Sequence, residues 1–584
     1  MKTEWDLRLL YSSDTDPQIE KDLAAYEAAC SDFEKKYRNS AGYLSDDEEL
    51  LSALTDYEKM ADMPEGARPT AYFHYRTNID SEDQKAESEL NRLTERLTKA
   101  NNRILFFELS LGQILPEKRE EIMANKTLGH FHYFLKRLFL VAEHTLSEPE
   151  EKILSLKSLP AHLLWMNGQQ KLLSRQTVRF RGKDIPLPEA LNMVPELTLN
   201  SRRKLTDEVN RVLRGISYFA ESEINAVYTD KKINDELRGF KRPYSATILH
   251  YQNEEESVIN FVNTVTRRFD ISHRFYDVKA KLLKIQSLEY ADRSARVGKV
   301  NIKLSFDETV RMLDRIFSSL GGRYAPIFTE YLKNGQIDVF PRLGKRGGAY
   351  CSGNIALPTF VLLNHVDNIS SFKTIAHEMG HAFHTELSKS QTPMYQSYTT
   401  SVAEVASTLF ENIAFDHVFE NLTNKEKMIV LHDRINDDIS TIFRQIACFN
   451  FELELHERIR REGALSKEDM AALHNKHMKA YLGPLFNMKD KDGYFFVEWP
   501  HLRYFFYVYS YAYGSLISRA MYKKYQENKS YLKEIEKFLS AGGSKSPEEI
   551  FMEIGIDTSK PEFFEEGLKS IEQDIIKLEA LIKR

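Results

Sequence analysis

Residues 370–388 read SSFKTIAHEMGHAFHTELS and contain His377-Glu378-Met379-Gly380-His381. This is H-E-x-x-H. On a helix, positions i and i+4 share a face, so the imidazoles of His377 and His381 converge on one point. Zinc takes nitrogen ligands at about 2.0–2.1 Å in a tetrahedron, and two such rings supply two corners. Glu378 lies beside that face, where it can reach a water without ligating the metal. Zinc lowers the pKa of such a water towards about 7, and Glu378 can then act as general base. With 17 histidines in 584 residues, chance produces the pattern about 0.04 times per chain. A capping serine, Ser370 or Ser371, and the apolar Ile375, Met379 and Phe383 suit a buried helix.

The third ligand decides the class. A metzincin pattern needs Gly and His at positions 384 and 387, and this chain has His384 and Leu387. The other common solution is a carboxylate from a later helix. Glu386 points off the ligand face. Glu404 lies in TTSVAEVASTLFENIAF (399–415), a fresh helical pattern with Ser401 near its start, and Glu411 follows two turns on. Glu404 is the favoured ligand, with Glu411 beside it as the group that orients a ligand; Glu411 is the alternative ligand.

The surrounding elements must hold these residues in place. Gln336 to Asn364 is the most strand-like and glycine-rich stretch, and it directly precedes the motif. RQTVRFRGKDIPLPEAL (175–191) predicts a hairpin around Arg181-Gly182-Lys183. Elsewhere helix dominates: residues 18–38, residues 82–103 running into an apolar patch at 104–115, and a C-terminal stripe of Leu568, Ile571, Ile575, Leu578 and Ile582. Gly (25) and Pro (18) together make about 7% of the chain, against a usual total near 12%. A boundary near 190–200 divides an N-terminal helical lobe, 1–195, from a catalytic part, 196–584.

The composition excludes other classes. Eighty basic against 86 acidic side chains give a net charge of −6, so neither nucleic acid nor a membrane surface is expected as a partner. Three dispersed cysteines, Cys30, Cys351 and Cys448, exclude a disulfide framework and fit a reducing, cytoplasmic setting. MKTEWDLRLLYSSDTD does not read as a signal peptide. No apolar run is long enough to span a membrane; Tyr504 to Met521 comes nearest but carries Ser510, Ser515, Ser518 and Arg519.

HEMGHAFH followed by SVAEVAS resembles the thimet-oligopeptidase-like zinc metallopeptidases, in particular their oligoendopeptidase F branch. WDLRLLY at the start, RFYDVKAKL (274–282), GKRGGAYCSG (344–353) and PHLRYFFYVYSYAYG (500–514) extend the likeness over nearly the whole chain. The resemblance implies His377, His381 and Glu404 as ligands of one zinc ion and Glu378 as base. It also implies His501 and tyrosines of the following segment as stabilisers of the transition state. The implied fold is mainly α, a two-lobed zincin-type body with a small β-sheet near the active site and a deep substrate channel. The implied activity is endopeptidase cleavage of short oligopeptides.

Tyr504, Tyr507 and Tyr511 stand at i, i+3 and i+7, which predicts one helix face. Tyr504 and Tyr511 are the preferred oxyanion donors, with Tyr507 contacting substrate. Gly347-Gly348-Ala349 could let an extended peptide add itself to a strand edge. Two alternatives remain: a dipeptidyl carboxypeptidase-like enzyme, for which Lys345 and Arg346 could hold a free C-terminal carboxylate, and a catalytically silent peptide-binding protein.

Overall fold

The computed structural model describes residues 1–300, 302–353 and 355–583. Helix dominates, as the scarcity of Gly and Pro predicts, and among the described residues the strands form two small sheets. In chain order, the elements used below are α1 (Pro17–Tyr37), β1 (Thr177–Phe180), β2 (Lys183–Pro186), α2 (Leu199–Leu237), β3 (Ile337–Asp338), β4 (Tyr350–Ser352) and β5 (Phe360–Leu362). They continue with α3 (Ile369–Ser388), α4 (Thr400–Glu420), α5 (Gln445–Glu462), α6 (Tyr509–Glu527) and α7 (Pro561–Ile582). The predicted hairpin is β1–β2, closed by Arg181 and Gly182 at φ 51° and 81°. Two positive-φ residues are what a two-residue turn matching the strand twist requires.

The chain forms two compact units, each assembled from three segments. The first holds Met1–Glu143, Asn301–His417 and Met521–Gly555. Its core joins the N-terminal helices to the small sheet: Trp5, Tyr75 and Phe360 meet edge-on or tilted at 4.9–5.6 Å between centroids. The Trp5 indole N–H donates to the Val361 carbonyl at 2.8 Å, and the Tyr75 hydroxyl bonds to Ser352 at 3.0 Å. The three-stranded sheet runs β3-β5-β4, with β3 parallel and β4 antiparallel to β5. Among the described residues β4 is therefore an edge strand.

The second unit holds His144–Val300, Val418–Ala520 and Ile556–Arg584. The 39-residue α2 runs through it and buries Leu205, Leu213, Ala220, Ile224 and Tyr228. The amphipathic α7 buries Leu568, Ile571, Ile575 and Leu578, while Ile582 at the end of the stripe is exposed. Residues 144–195, with the hairpin, pack in this unit, whereas the first 143 residues pack with the H-E-x-x-H segment. The contact units thus follow a different division from a single sequence boundary at 195.

Candidate active site

α3 carries the motif. Its N-cap is Asn368, whose side chain accepts from the Ser371 N–H at 2.8 Å. Neither Ser370 nor Ser371 caps the helix: it starts at Ile369, two or three residues earlier than those serines require, and the Ser371 hydroxyl accepts instead from the Val366 N–H. Phe372, Ile375, Ala376, Met379, Ala382 and Phe383 bury one flank. His377 and His381 lie on the other, with ring centroids 5.1 Å apart.

α4 brings in the third donor. Gly380 permits this approach: a Cβ there would stand 2.7 Å from the Ser407 Cα and 2.8 Å from the Ala406 carbonyl oxygen. With the backbones this close, Glu404 Oε2 sits 3.4 Å from His377 Nε2 and 3.8 Å from His381 Nε2. Donor atoms of the three residues lie within 4.8 Å of one another. Ligands at about 2.1 Å around a tetrahedral ion stand roughly 3.4 Å apart, so this set of two imidazoles and one carboxylate fits zinc.

Glu411 accepts from the far nitrogen of His377, Nδ1, at 3.2 Å and pairs with Lys373 at 2.9 Å. His377 thus meets Glu411 through Nδ1 and faces Glu404 through Nε2. The Ser407 hydroxyl holds Glu404 Oε2 at 3.0 Å. Glu386, off the ligand face as expected, accepts from Tyr331, Thr359 and Lys389.

Burial and charge work against each other here. Burial disfavours a proton on His377, but the Glu404 and Glu411 carboxylates outweigh it and push its pKa up to about 10. Burial holds His381 down to about 4. Glu404 and Glu411 resist burial through His377, and for Glu411 also Lys373, and sit at about 2. Burial pushes Glu378 up to about 7, with charged His377 opposing and the Glu404 carboxylate reinforcing.

A cavity of about 480 Å³ opens beside these residues within the first unit. β4 and the loop after it form one wall, through Ala349, Cys351 and Gly353; Thr385 and Lys389 continue the His377–His381 stripe along α3, and Tyr398 closes the base. Tyr398, which no sequence signal marked, stacks on His384 at 3.6 Å and bonds to the Thr385 hydroxyl. Gly347 and Gly348 face open space, and Gly348 at φ 80° adopts a backbone that favours glycine. Lys345 is committed elsewhere: its buried side chain pairs with Asp338 at 2.7 Å. Arg346 bonds to the Asn78 side chain at 3.1 Å.

His501 and the tyrosines belong to the second unit. They do not form one helix face. Tyr504 follows the short turn Pro500–Arg503, Phe505 and Phe506 are left-handed at φ 49° and 59°, and α6 begins only at Tyr509. Left-handed backbone costs of order 1–3 kcal/mol per non-glycine residue, so a helical register through 504–511 is broken where these two aromatics turn. The rings still gather. His501 lies parallel to Tyr507 at 5.3 Å, and Tyr507 stands 5.6 Å from Tyr511 and 6.0 Å from Tyr504. Tyr507, rather than Tyr504, is the centre of this cluster. Burial and the nearby charge of Arg444 lower the His501 pKa to about 4, so the ring is neutral. Its buried Nδ1 has no partner among the described residues.

The pattern described as "Peptidase family M3" matches residues 220–570, and that described as "Oligopeptidase F" matches residues 111–174. The chain belongs to peptidase family M3, a family of metallopeptidases. It is 24% identical over 608 residues to an oligoendopeptidase F homolog of Lactococcus lactis subsp. lactis, covering 100% of this chain and 98% of that one. Its fold matches a crystal structure from Chlamydophila abortus at a TM-score of 0.87 with 22% identity, over 99% and 98% of the two chains. It also matches oligoendopeptidase-F from Enterococcus faecium at 0.71 with 17% identity, over 97% and 99%.

Proposed function

We propose that the protein is a zinc-dependent endopeptidase that hydrolyses internal bonds of short oligopeptides. The convergence of His377, His381 and Glu404 on one point, with Glu378 beside it at the cavity wall, carries this reading. His377, His381 and Glu404 hold one zinc ion, and Glu411 fixes the His377 ring. Bound there, zinc supplies Lewis acidity that acidifies water towards a pKa of about 7 and polarises a carbonyl. Glu378 takes the proton of the attacking water and delivers it to the leaving amine. The edge strand β4, with Gly347, Gly348 and Ala349 before it, would present main-chain groups to an extended substrate whatever its side chains. Neutral His501, with Tyr504 and Tyr511, donates to the developing oxyanion, and Tyr507 contacts the substrate; each such donor is commonly worth about 10²–10³ in rate. Three free thiols, two of them buried, support a reducing compartment, the cytoplasm.

Zinc content and cleavage of a quenched peptide test the reading. Glu378→Gln should keep the metal and lose activity; retention of both sinks the base assignment. The exopeptidase alternative loses its proposed cation at Lys345, which Asp338 holds. Mass spectrometry of a ten-residue peptide separates the two: internal fragments support the endopeptidase, stepwise C-terminal dipeptides the alternative. Peptide binding without hydrolysis in zinc-replete buffer would instead indicate a silent binding protein.

A further inference from the structure

The segment from Phe496 to Phe506 is irregular, yet side chains from distant helices hold it residue by residue. Arg503, paired bidentately with Glu223 of α2, donates to the carbonyls of Phe496 and Trp499. The Leu502 carbonyl accepts from the Tyr228 hydroxyl at 3.1 Å, the Arg503 carbonyl from His162 at 3.0 Å, and the Phe505 carbonyl from Thr247 at 2.9 Å. These anchors serve carbonyls. The N–H of Phe506, a fully buried residue in a left-handed conformation, goes to Glu452 Oε1 on α5 at 2.9 Å.

Glu452 is itself fully buried. Its second oxygen, Oε2, has no hydrogen-bond partner among the described residues. The nearest cation in its field, Lys231, is engaged by Asp235, and His456 stacks against Tyr228 with its nearer nitrogen 3.9 Å away. Buried acids are ordinarily paired, yet among the described residues the one group within ion-pair distance of Glu452 is His456, whose proton burial disfavours. The one hydrogen bond of Glu452 goes to the strained turn immediately before Tyr507.

We propose that Glu452 is a positioning residue: by holding the Phe505–Phe506 turn left-handed, it sets the orientation of Tyr507 and thereby of the His501–Tyr507–Tyr511 cluster. The proposal rests on the reading that this cluster works on the substrate. Strained backbone persists only where surrounding structure over-determines it, and it concentrates at functional sites. Without the acceptor, the Phe506 N–H is left buried and unpaired, and the turn relaxes towards ordinary φ. That rotation swings Tyr507 out of its parallel stack on His501. A displacement of about 1 Å in a catalytic group commonly costs on the order of 100-fold in rate.

The test compares full-length, zinc-loaded variants on one quenched peptide. Glu452→Gln keeps an acceptor for the Phe506 N–H and should stay within about threefold of wild-type kcat at pH 7. Glu452→Ala should lower kcat roughly 10- to 100-fold, with KM within about twofold and zinc content unchanged. Thr247→Val, which releases the other side of the turn, should lower kcat in the same manner but less, and it decides the matter if Glu452→Ala does not fold. The proposal is overturned if Glu452→Ala and Thr247→Val keep kcat while His501→Ala or Tyr507→Phe loses it. It is equally overturned if the amide variant fails as badly as alanine, because an acceptor would then not suffice. Should His501→Ala, Tyr507→Phe and Tyr511→Phe all keep kcat, the underlying reading of the cluster fails, which is a separate outcome.

Discussion

The metal face of the first unit and the aromatic turn of the second are built on opposite principles. On the metal face, three residues come from one unbroken helix and two from another, and helical spacing alone orients His377 against His381 and Glu404 against Glu411. The long-range requirement there is one close helix crossing, at Gly380. The aromatic turn has no regular geometry around Phe505 and Phe506. Its shape is imposed from outside, by His162, Tyr228, Thr247 and Glu452, residues scattered over nearly 300 positions of the chain. A site carried by regular elements tolerates change in its surroundings; one carried by an irregular turn depends on each anchor.

The largest effects should separate the roles within the metal face. His381→Ala should remove zinc and activity together. Glu378→Gln should keep zinc and lower kcat by about 10²–10⁴, the usual worth of acid–base catalysis. Metal analysis beside kinetics checks both, and a chelator followed by zinc add-back should abolish and restore wild-type activity. Next in size, His501→Ala should lower kcat by about 10²–10³ with zinc retained; a variant that loses zinc instead would show that the two regions are not independent in function. Glu411→Ala should weaken zinc binding by about 10–100-fold, read by competition with a chelating dye, because His377 loses the group that orients it.

Gly380→Val probes the helix crossing. Its side chain would enter the space taken by the Ser407 and Ala406 backbone, at a stability cost of about 1–3 kcal/mol, together with loss of zinc as Glu404 retreats. Unfolding in urea with metal analysis measures both; an unchanged metal content would mean that α4 can shift without disturbing the ligands.

A pH titration probes the aromatic turn through Glu452. Burial raises its pKa to about 8 in the folded protein, whereas the unfolded chain releases that proton near pH 4.5. Its contribution to stability is therefore complete below about pH 4.5 and is lost as pH rises to about 8, with a slope up to about 1.4 kcal/mol per pH unit. The titratable groups facing it are Lys231 and Tyr228 from α2, and Cys448 and His456 on α5. Glu452→Gln should remove this slope, so that wild type and variant diverge in urea midpoint between pH 5 and pH 8. Parallel curves would mean that Glu452 is ionised throughout.

The metal face was legible because its information is local. The i, i+4 spacing of two histidines, the acid between them and a second helix with acids seven residues apart all follow from helix periodicity. Glu386 was excluded by the same argument, and Glu404 and Glu411 were put on one face, whereas the choice of Glu404 over Glu411 was a preference that spacing left open. The tyrosines misled for the matching reason. Tyr504, Tyr507 and Tyr511 have helical spacing, but Phe505 and Phe506 leave the helix between them, and nothing in the local sequence encodes the buried carboxyl that makes them do so. The N-cap moved to Asn368 because the chain enters the helix one residue before the serines.

By itself the sequence determined the helical class, the hairpin at Arg181-Gly182, the amphipathic C-terminal helix, and the residues able to hold a metal. Each follows from the spacing of side chains along a regular backbone. Only the tertiary structure decided that the first 143 residues share a core with the metal helix, that Lys345 is sequestered by Asp338, and that Tyr398 lines the cavity. It alone showed that a buried glutamate accepts from the Phe506 N–H in the turn before Tyr507. These depend on contacts between residues far apart in the chain, which come together only when hydrophobic burial brings the separate segments into one unit.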